Sequence, residues 1–341
     1  MAIDFTDKVI LITGGTGSFG KQFAKTVLNR YRVRKLIIFS RDEAKQTEMA
    51  QDPAFEAHAK VLRYFIGDVR DLSRLEMAFR DVNYVVHAAA LKHVPVAEYN
   101  PFECIQTNVH GAENVVKAAI RAKVQRVIAL STDKAASPIN LYGASKLASD
   151  KIFVAAKHIT GVGEPLFGVV RYGNVLGSRG SVVPYFSKLL SRGDESLPIT
   201  DSRMTRFWIT LDQGVDFVLT CLGMLQGGEI FVPKIPSMKV TDVAKAMAPH
   251  LETHIIGIRP GEKLHEVLIT EDDARSTLEL PDRFIIRPML YGEQRQYHPQ
   301  EKEVIDGFRY ASDNNPEWLD QGALRRLLTT IGFGGQAAAA E

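Results

Sequence analysis

The chain has only two cysteines, Cys104 and Cys221, far apart in the sequence. They cannot supply a disulfide framework, and no Cys/His spacing matches a metal site, so both read as reduced core thiols of a cytoplasmic protein. His87, His93 and His265 are scattered and read as structural or pocket residues rather than metal ligands. Long apolar runs are missing too. None approaches the roughly twenty residues that a membrane-spanning helix needs, and no signal-like segment precedes the first apolar strand. An excess of charge of one sign is also lacking. Lys and Arg total 42 against 40 Asp and Glu, for a net charge of +2. The basic residues are spread out, so neither a nucleic acid nor a membrane is expected as a partner.

What is present is a chain of 341 residues that is 45% hydrophobic. That suits one nucleotide-sized domain with a smaller companion. Lys8–Thr13 is a short apolar strand, Gly14, Gly17 and Gly20 follow with the spacing G-x-x-G-x-x-G, and Lys21–Leu28 has helical spacing. A strand, a glycine turn and a helix start form a pyrophosphate-binding unit: the glycines permit a tight turn and close backbone approach, and the helix dipole meets the phosphates. Thr16, Ser18 and Phe19 belong to the same turn. Apolar strands recur at Lys35–Phe39, Val61–Ile66, Val82–Val86, Val124–Leu130 and Phe167–Tyr172, and Asn108–Lys117 reads as the helix before the fifth strand. The expected fold class is α/β, a Rossmann-type doubly wound parallel sheet with a smaller C-terminal substrate domain. Residues 1–176 and 207–232 are assigned to the dinucleotide domain, with a helix returning to it from Arg206 onward. Residues 177–206 and 233–290 are assigned to the substrate domain, and 291–341 to an extension whose last residues look frayed.

The second strand ends at Ser40-Arg41, with Lys45 one helical turn further on. An acid in this region suits the ribose hydroxyls of NAD, whereas an arginine can fork onto the 2′-phosphate of NADP, so NADP is favoured over NAD. Asp68-Val69 follows the third strand, where a carboxylate can meet the adenine amino group. Ala88, Ala89 and Ala90 follow the fourth and are small enough to let a dinucleotide cross the sheet edge.

The densest chemistry lies in Ser131-Thr132-Asp133-Lys134 and Tyr142-Gly-Ala-Ser-Lys146. The first group sits at the carboxyl end of the fifth strand, where open α/β sheets bind ligands. Tyr142 and Lys146 are four apart and share a helix face. A lysine ammonium beside the phenol is expected to lower its pKa and make it a base for a sugar or alcohol hydroxyl. Asp133 is the candidate acid or proton relay and Lys134 a candidate base, which must be neutral to act.

These motifs, together with Arg171-Tyr-Gly-Asn174, resemble extended short-chain dehydrogenases/reductases acting on nucleotide sugars. Ala90–Pro95, Ser131–Ala136, Val170–Arg179 and Arg259–Glu266 resemble more closely the inverting UDP-N-acetylglucosamine 4,6-dehydratases of pseudaminic acid synthesis. Retaining hexose 4,6-dehydratases carry Thr-Asp-Glu where this chain has Thr132-Asp133-Lys134, and long membrane-bound relatives usually carry Met in place of Tyr142. The resemblance implies UDP-N-acetylglucosamine as substrate. It implies oxidation at C4, loss of water across C5–C6, hydride return to C6 and inversion at C5. It further implies substrate contacts from Lys92, His93, Thr132, Asn174, Arg206, Arg259 and Glu262. A homo-oligomer is expected. A nucleotide-sugar epimerase and an NADP-sensing regulator are the competing readings. An acid–base pair for expelling water favours dehydration over the first, and the presence of Tyr142 and Lys146 counts against the second.

Overall fold

In the computed structural model, residues 3–160, 165–178, 180–288 and 297–333 are described. Strand β1 (Val9–Thr13) is buried at every position, as a parallel strand covered on both faces must be. It pairs in parallel with β2 (Lys35–Ser40) on one side and β4 (Tyr84–His87) on the other, with Thr13 opposite both Phe39 and His87. β3 (Leu62–Ile66) lies beyond β2. β5 (Arg126–Thr132) and β6 (Leu166–Tyr172) continue outward from β4. The order β3-β2-β1-β4-β5-β6 reverses direction between β1 and β4, and ligands bind at such a switch point beyond the strands' carboxyl ends. The Rossmann-type parallel sheet expected from the strand spacing is thus present.

Beyond β6 come Ile230–Pro233, parallel, and then Arg283–Ile286 and Thr277–Glu279, antiparallel. The last two strands were expected in the smaller domain. They extend the central sheet instead, because Phe284, Ile285 and Leu278 are buried against its core. The helix expected from Arg206 begins later. Thr205–Ile209 is a fully buried strand, and the helix runs Leu211–Met224 from a capping box between Thr210 and Gln213. That helix does return to the first domain, where Gln22 donates to Asp212 and Arg30 pairs with Asp216. The helix expected over Asn108–Lys117 opens with a π turn at Gln106–His110 and continues as Gly111–Arg121.

A second core gathers Phe186, Trp208, Met238, Val243, Leu324 and Leu328. It is bounded by the helices Val182–Arg192, Val240–Met247 and Gln321–Thr330. This smaller unit covers the carboxyl edge of the sheet through Thr205–Ile209, which pairs with Ser237–Lys239 and Asn174–Val175. The tail expected to fray after Phe333, part of the 291–341 extension and Arg179 lie outside the described residues. Among the described residues no helix is long and apolar enough to cross a membrane. No cluster of potential metal ligands occurs among them either.

The helix Leu141–Ile159 carries Tyr142 and Lys146 and is anchored by Phe153, which packs between His87 and Phe167. Phe153→Ala should lower unfolding free energy by about 3–5 kcal/mol, read from urea melts. A loss within the range of surface substitutions would show that the helix is anchored elsewhere.

Candidate active site

Gly14 has φ +66°, and a Cβ there would lie 2.9 Å from the Ala89 backbone nitrogen. The turn therefore runs hard against the end of β4, leaving a glycine-walled cradle at the N-terminus of the helix Ser18–Arg30. The Thr13 hydroxyl fastens the two strand ends. It accepts from the backbone N–H groups of Ala88 and Ala89, each at 3.2 Å, and meets His87 Nδ1 at 2.8 Å. His87 is wholly buried, and burial, aided by Lys146, pushes its pKa down to about 3. It is a neutral structural group.

The cradle opens into a cleft of about 640 Å³ that runs to Lys134, Tyr142 and Asn174. Its wall includes Gly14, Thr16, Gly17, Ser18, Phe19, Gly20, Ser40, Arg41, Lys45, Val69 and Ala88–Ala90. Lys92, His93, Thr132 and Lys146 line the same cleft. Thr16 Oγ1 and Ser40 Oγ are 2.8 Å apart, which ties the glycine turn to the end of β2. Asp68 takes a different place from the one expected. Gly67 and Val69 line the wall, but the Asp68 carboxylate is gripped by Arg70 Nε and Nη2 at 2.9 and 2.7 Å and approached by Arg41 at 3.4 Å.

At the far end, Asn140 caps the 141–159 helix by accepting from Gly143 N–H at 2.8 Å, while its own Nδ2 donates to the Gly261 carbonyl. The helix then passes so close to the Asp133–Ala135 turn that a Cβ on Gly143 would lie 2.2 Å from the Lys134 carbonyl oxygen. This contact presses Tyr142 toward Lys134. The Thr132 hydroxyl, beside Tyr142, donates to Asp133 Oδ1 at 2.9 Å. Asn108, held by the π turn, bridges the Leu91 backbone and Ser145 Oγ, and so joins the loop after β4 to the same helix.

The phenol does not titrate as expected. Burial pushes Tyr142 up to about 12, while Lys134 and the Thr132 hydroxyl pull against it. Lys146 is itself buried and its pKa is lowered by burial, with Asp150 opposing. The cation acting on the phenol is Lys134. Burial also disfavours charge on Lys134, yet Asp133 at 3.0 Å and Glu266 at 3.1 Å outweigh it and hold the ammonium above the ordinary lysine range.

Residues 10–288 match the family model described as "Polysaccharide biosynthesis protein". The chain belongs to this family. A UDP-N-acetylglucosamine 4,6-dehydratase (inverting) from Campylobacter jejuni subsp. jejuni serotype O:2 is 56% identical, over 96% of this chain and 100% of that protein. The solved structure of Pen from Bacillus thuringiensis superposes with a TM-score of 0.88 at 37% identity, covering 97% of this chain and 100% of that one. A UDP-glucose 4-epimerase from Rickettsia rickettsii is 40% identical over 96% of this chain and 97% of its own. The resemblance to nucleotide-sugar short-chain dehydrogenases/reductases read from the motifs holds. Membership of the polysaccharide biosynthesis family leaves the choice of reaction to the site.

Arg206, Arg259 and Glu262, expected to contact substrate, fall off the cleft wall, as does Asp133, expected as a catalytic residue. Arg206 is buried and donates to the carbonyls of Thr205, Leu264 and Lys263, with Nε 3.7 Å from Glu266. Arg259 is exposed, and its backbone N–H donates to Glu262 on a loop clipped to Asn140 through Gly261. Asp133 is fully buried behind Lys134. Two carboxylates had no role assigned from sequence. Glu266 closes the Arg259–Glu266 motif, where its position was a usable signal. Asp150, on the Tyr142/Lys146 helix face, accepts from Ser131 at 2.8 Å and pairs with buried Arg171.

Gly143→Ala should lower stability by about 1–3 kcal/mol, because Lys134 and Tyr142 must separate to admit the methyl group. Gly214→Ala, in the 211–224 helix with open space around its Cβ, is the control and should stabilise by about 0.5–1 kcal/mol. Equal effects in chemical denaturation would refute the close-contact reading.

Proposed function

We propose that the protein is a UDP-N-acetylglucosamine 4,6-dehydratase that inverts C5, working with a bound NADP. The observation that carries this reading is the Lys134 ammonium between two buried carboxyl groups, with Thr132 bonded to one of them and Tyr142 beside it. An epimerase needs a proton acceptor at C4 but no group to expel water, and this site has both. The 56% identity to an inverting dehydratase over nearly the whole chain supports the same choice.

The glycine cradle, the small residues after β4 and the helix N-terminus fit a dinucleotide, which when bound would accept hydride from C4 and return it to C6. Ser40, Arg41 and Lys45 line the cleft at and just beyond the end of β2, and donors of this kind suit a 2′-phosphate, which supports NADP over NAD. Tyr142 takes the C4 hydroxyl proton as the phenolate, the form that burial disfavours and that Lys134 and a bound nicotinamide cation would favour. Lys146 stands four residues on along the same helix, one turn deeper in the cleft. Lys134 removes the C5 proton made acidic by the new C4 ketone. Asp133, whose pKa is raised by burial and by Glu266, lies off the cleft and supplies the proton for the departing C6 hydroxyl through the Thr132 hydroxyl bonded to it. Lys92, His93, Thr132 and Asn174 are assigned to the sugar side of the cleft wall. Ser178 and Ser181, at the start of the Val182–Arg192 helix, offer a place for the diphosphate.

Incubation with UDP-N-acetylglucosamine in heavy water should give a 4-keto-6-deoxy product with deuterium at C5 and the L-configured ring by NMR. Retention at C5 would remove the inverting assignment. Tyr142→Phe should cut turnover by about 10²–10⁴. Lys134→Ala should let reduced nicotinamide accumulate without 6-deoxy product. If both variants instead stall before any hydride transfer, the division of labour between them is wrong.

Arg41→Ala should weaken NADP binding by about ten- to a hundredfold while leaving NAD nearly unchanged, measured by titration calorimetry. Equal losses for both cofactors would overturn the assignment of NADP.

A further inference from the structure

Lys134 presents a conflict that the dehydratase reading leaves open. To remove a proton it must be an amine, yet it is held as an ammonium. Losing that proton to solvent would leave the buried Glu266 carboxylate without the cation beside it, which is costly in a low-dielectric site. A nearer acceptor exists. Glu266 is 1% exposed, its Oε1 lies 3.1 Å from Lys134 Nζ, and its Oε2 has no hydrogen-bond partner. Asp133 Oδ2 is likewise buried and without a partner.

Resting on the dehydratase reading, we propose that Glu266 is a positioning residue that stores the Lys134 proton, so that the amine forms without exchange with solvent. The proton crosses from Nζ to Glu266 Oε1 and leaves the lysine lone pair to take the C5 proton. The C5–H electron pair becomes the C5–C6 double bond, and the C6–O bond breaks. The oxygen leaves as water with the proton supplied by Asp133. Lys134 then passes its proton to Asp133, 3.0 Å away, and recovers the stored one from Glu266. Across the elimination the three groups return to their starting state: the water carries away the Asp133 proton, and the proton taken from C5 replaces it within the group.

The surroundings of Glu266 suit the role of storage. Its carboxylate faces Lys134 from the turn after β5, Arg206 from the 205–209 strand and, on its own segment, Lys263. Burial raises its pKa, but these cations together hold it below the usual range, so Glu266 begins as the anion. Asp133 starts on the opposite side, raised by burial and by Glu266. Tyr142 faces Lys134 and Asp133 from the 141–159 helix, and burial raises its pKa. Backbone contacts hold the carboxylate in register: Glu266 N–H donates to Ser312 Oγ at 2.9 Å, and Ser312 N–H donates to the Glu266 carbonyl at 2.8 Å.

The test is the rate at which reduced nicotinamide disappears in a single turnover of the NADP-loaded protein with UDP-N-acetylglucosamine. It is followed from about pH 6 to about pH 8.5. Proton movement inside the group draws nothing from solvent, so the wild-type rate should be nearly flat across this window. In Glu266→Gln the proton must go to solvent, so the rate should climb about tenfold per pH unit from a low value at the acid end. Glu266→Asp keeps a carboxylate and should restore the flat profile at a reduced rate. A Glu266→Gln profile parallel to wild type, whether lowered or not, would overturn the inference and leave the dehydratase reading intact. If Glu266→Gln does not fold, a wild-type rate that itself climbs tenfold per unit, or a steep profile in Glu266→Asp, overturns it. Absence of any 6-deoxy product from wild type would sink both readings together.

Discussion

A buried ammonium cannot stand alone, and much of this structure is arranged around that constraint. Lys134 needs counter-charge that local sequence supplies only once, in Asp133. The second carboxylate, Glu266, arrives from far along the chain. Glu266 in turn requires Arg206, and Arg206 spends its donors on the backbone of residues 263 and 264. The smaller unit is therefore tied to the end of β5 by charge as well as by apolar packing. The clip between Asn140 and Gly261 and the donation from Lys263 Nζ to the Ala136 carbonyl at 2.6 Å strengthen the same seam. These bonds are worth more here than on a surface because water is excluded.

The dinucleotide half was legible because its determinants are local. Gly14 is set by a positive φ and a backbone contact within one βα unit, and the spacing of Tyr142 and Lys146 follows from helix geometry alone. Wherever meaning depended on distant partners, reading the sequence by itself fell short. Arg206 looked like a helical residue contacting the substrate, but the strand Thr205–Ile209 and the carbonyls it meets are set by tertiary pairing with Ser237–Lys239. Asp68 looked free to meet adenine until Arg70, two residues on, folded back onto it.

The charge on the acid–base residues was the least visible part. Placing Lys146 near Tyr142 suggested a lowered phenol pKa, which holds only if the lysine stays charged and solvent is present to compensate. Burial acts on both groups and reverses the sign for the phenol. Lys134 shows the converse: two carboxylates overcome the burial that would otherwise neutralise it. Desolvation is a property of the assembled fold, and no spacing rule carries it.

The π turn at Gln106–His110 has a consequence of another kind. It winds one helix more loosely just where Thr107 reaches the cleft wall and Asn108 grips both Leu91 and Ser145. A regular helix would rotate each later residue by roughly a hundred degrees relative to that grip. Insertion or deletion of a single residue in this turn would therefore leave the sheet and its apolar core intact while turning Asn108 away from the loop. Length, as much as the identity of Asn108, is what this segment cannot trade.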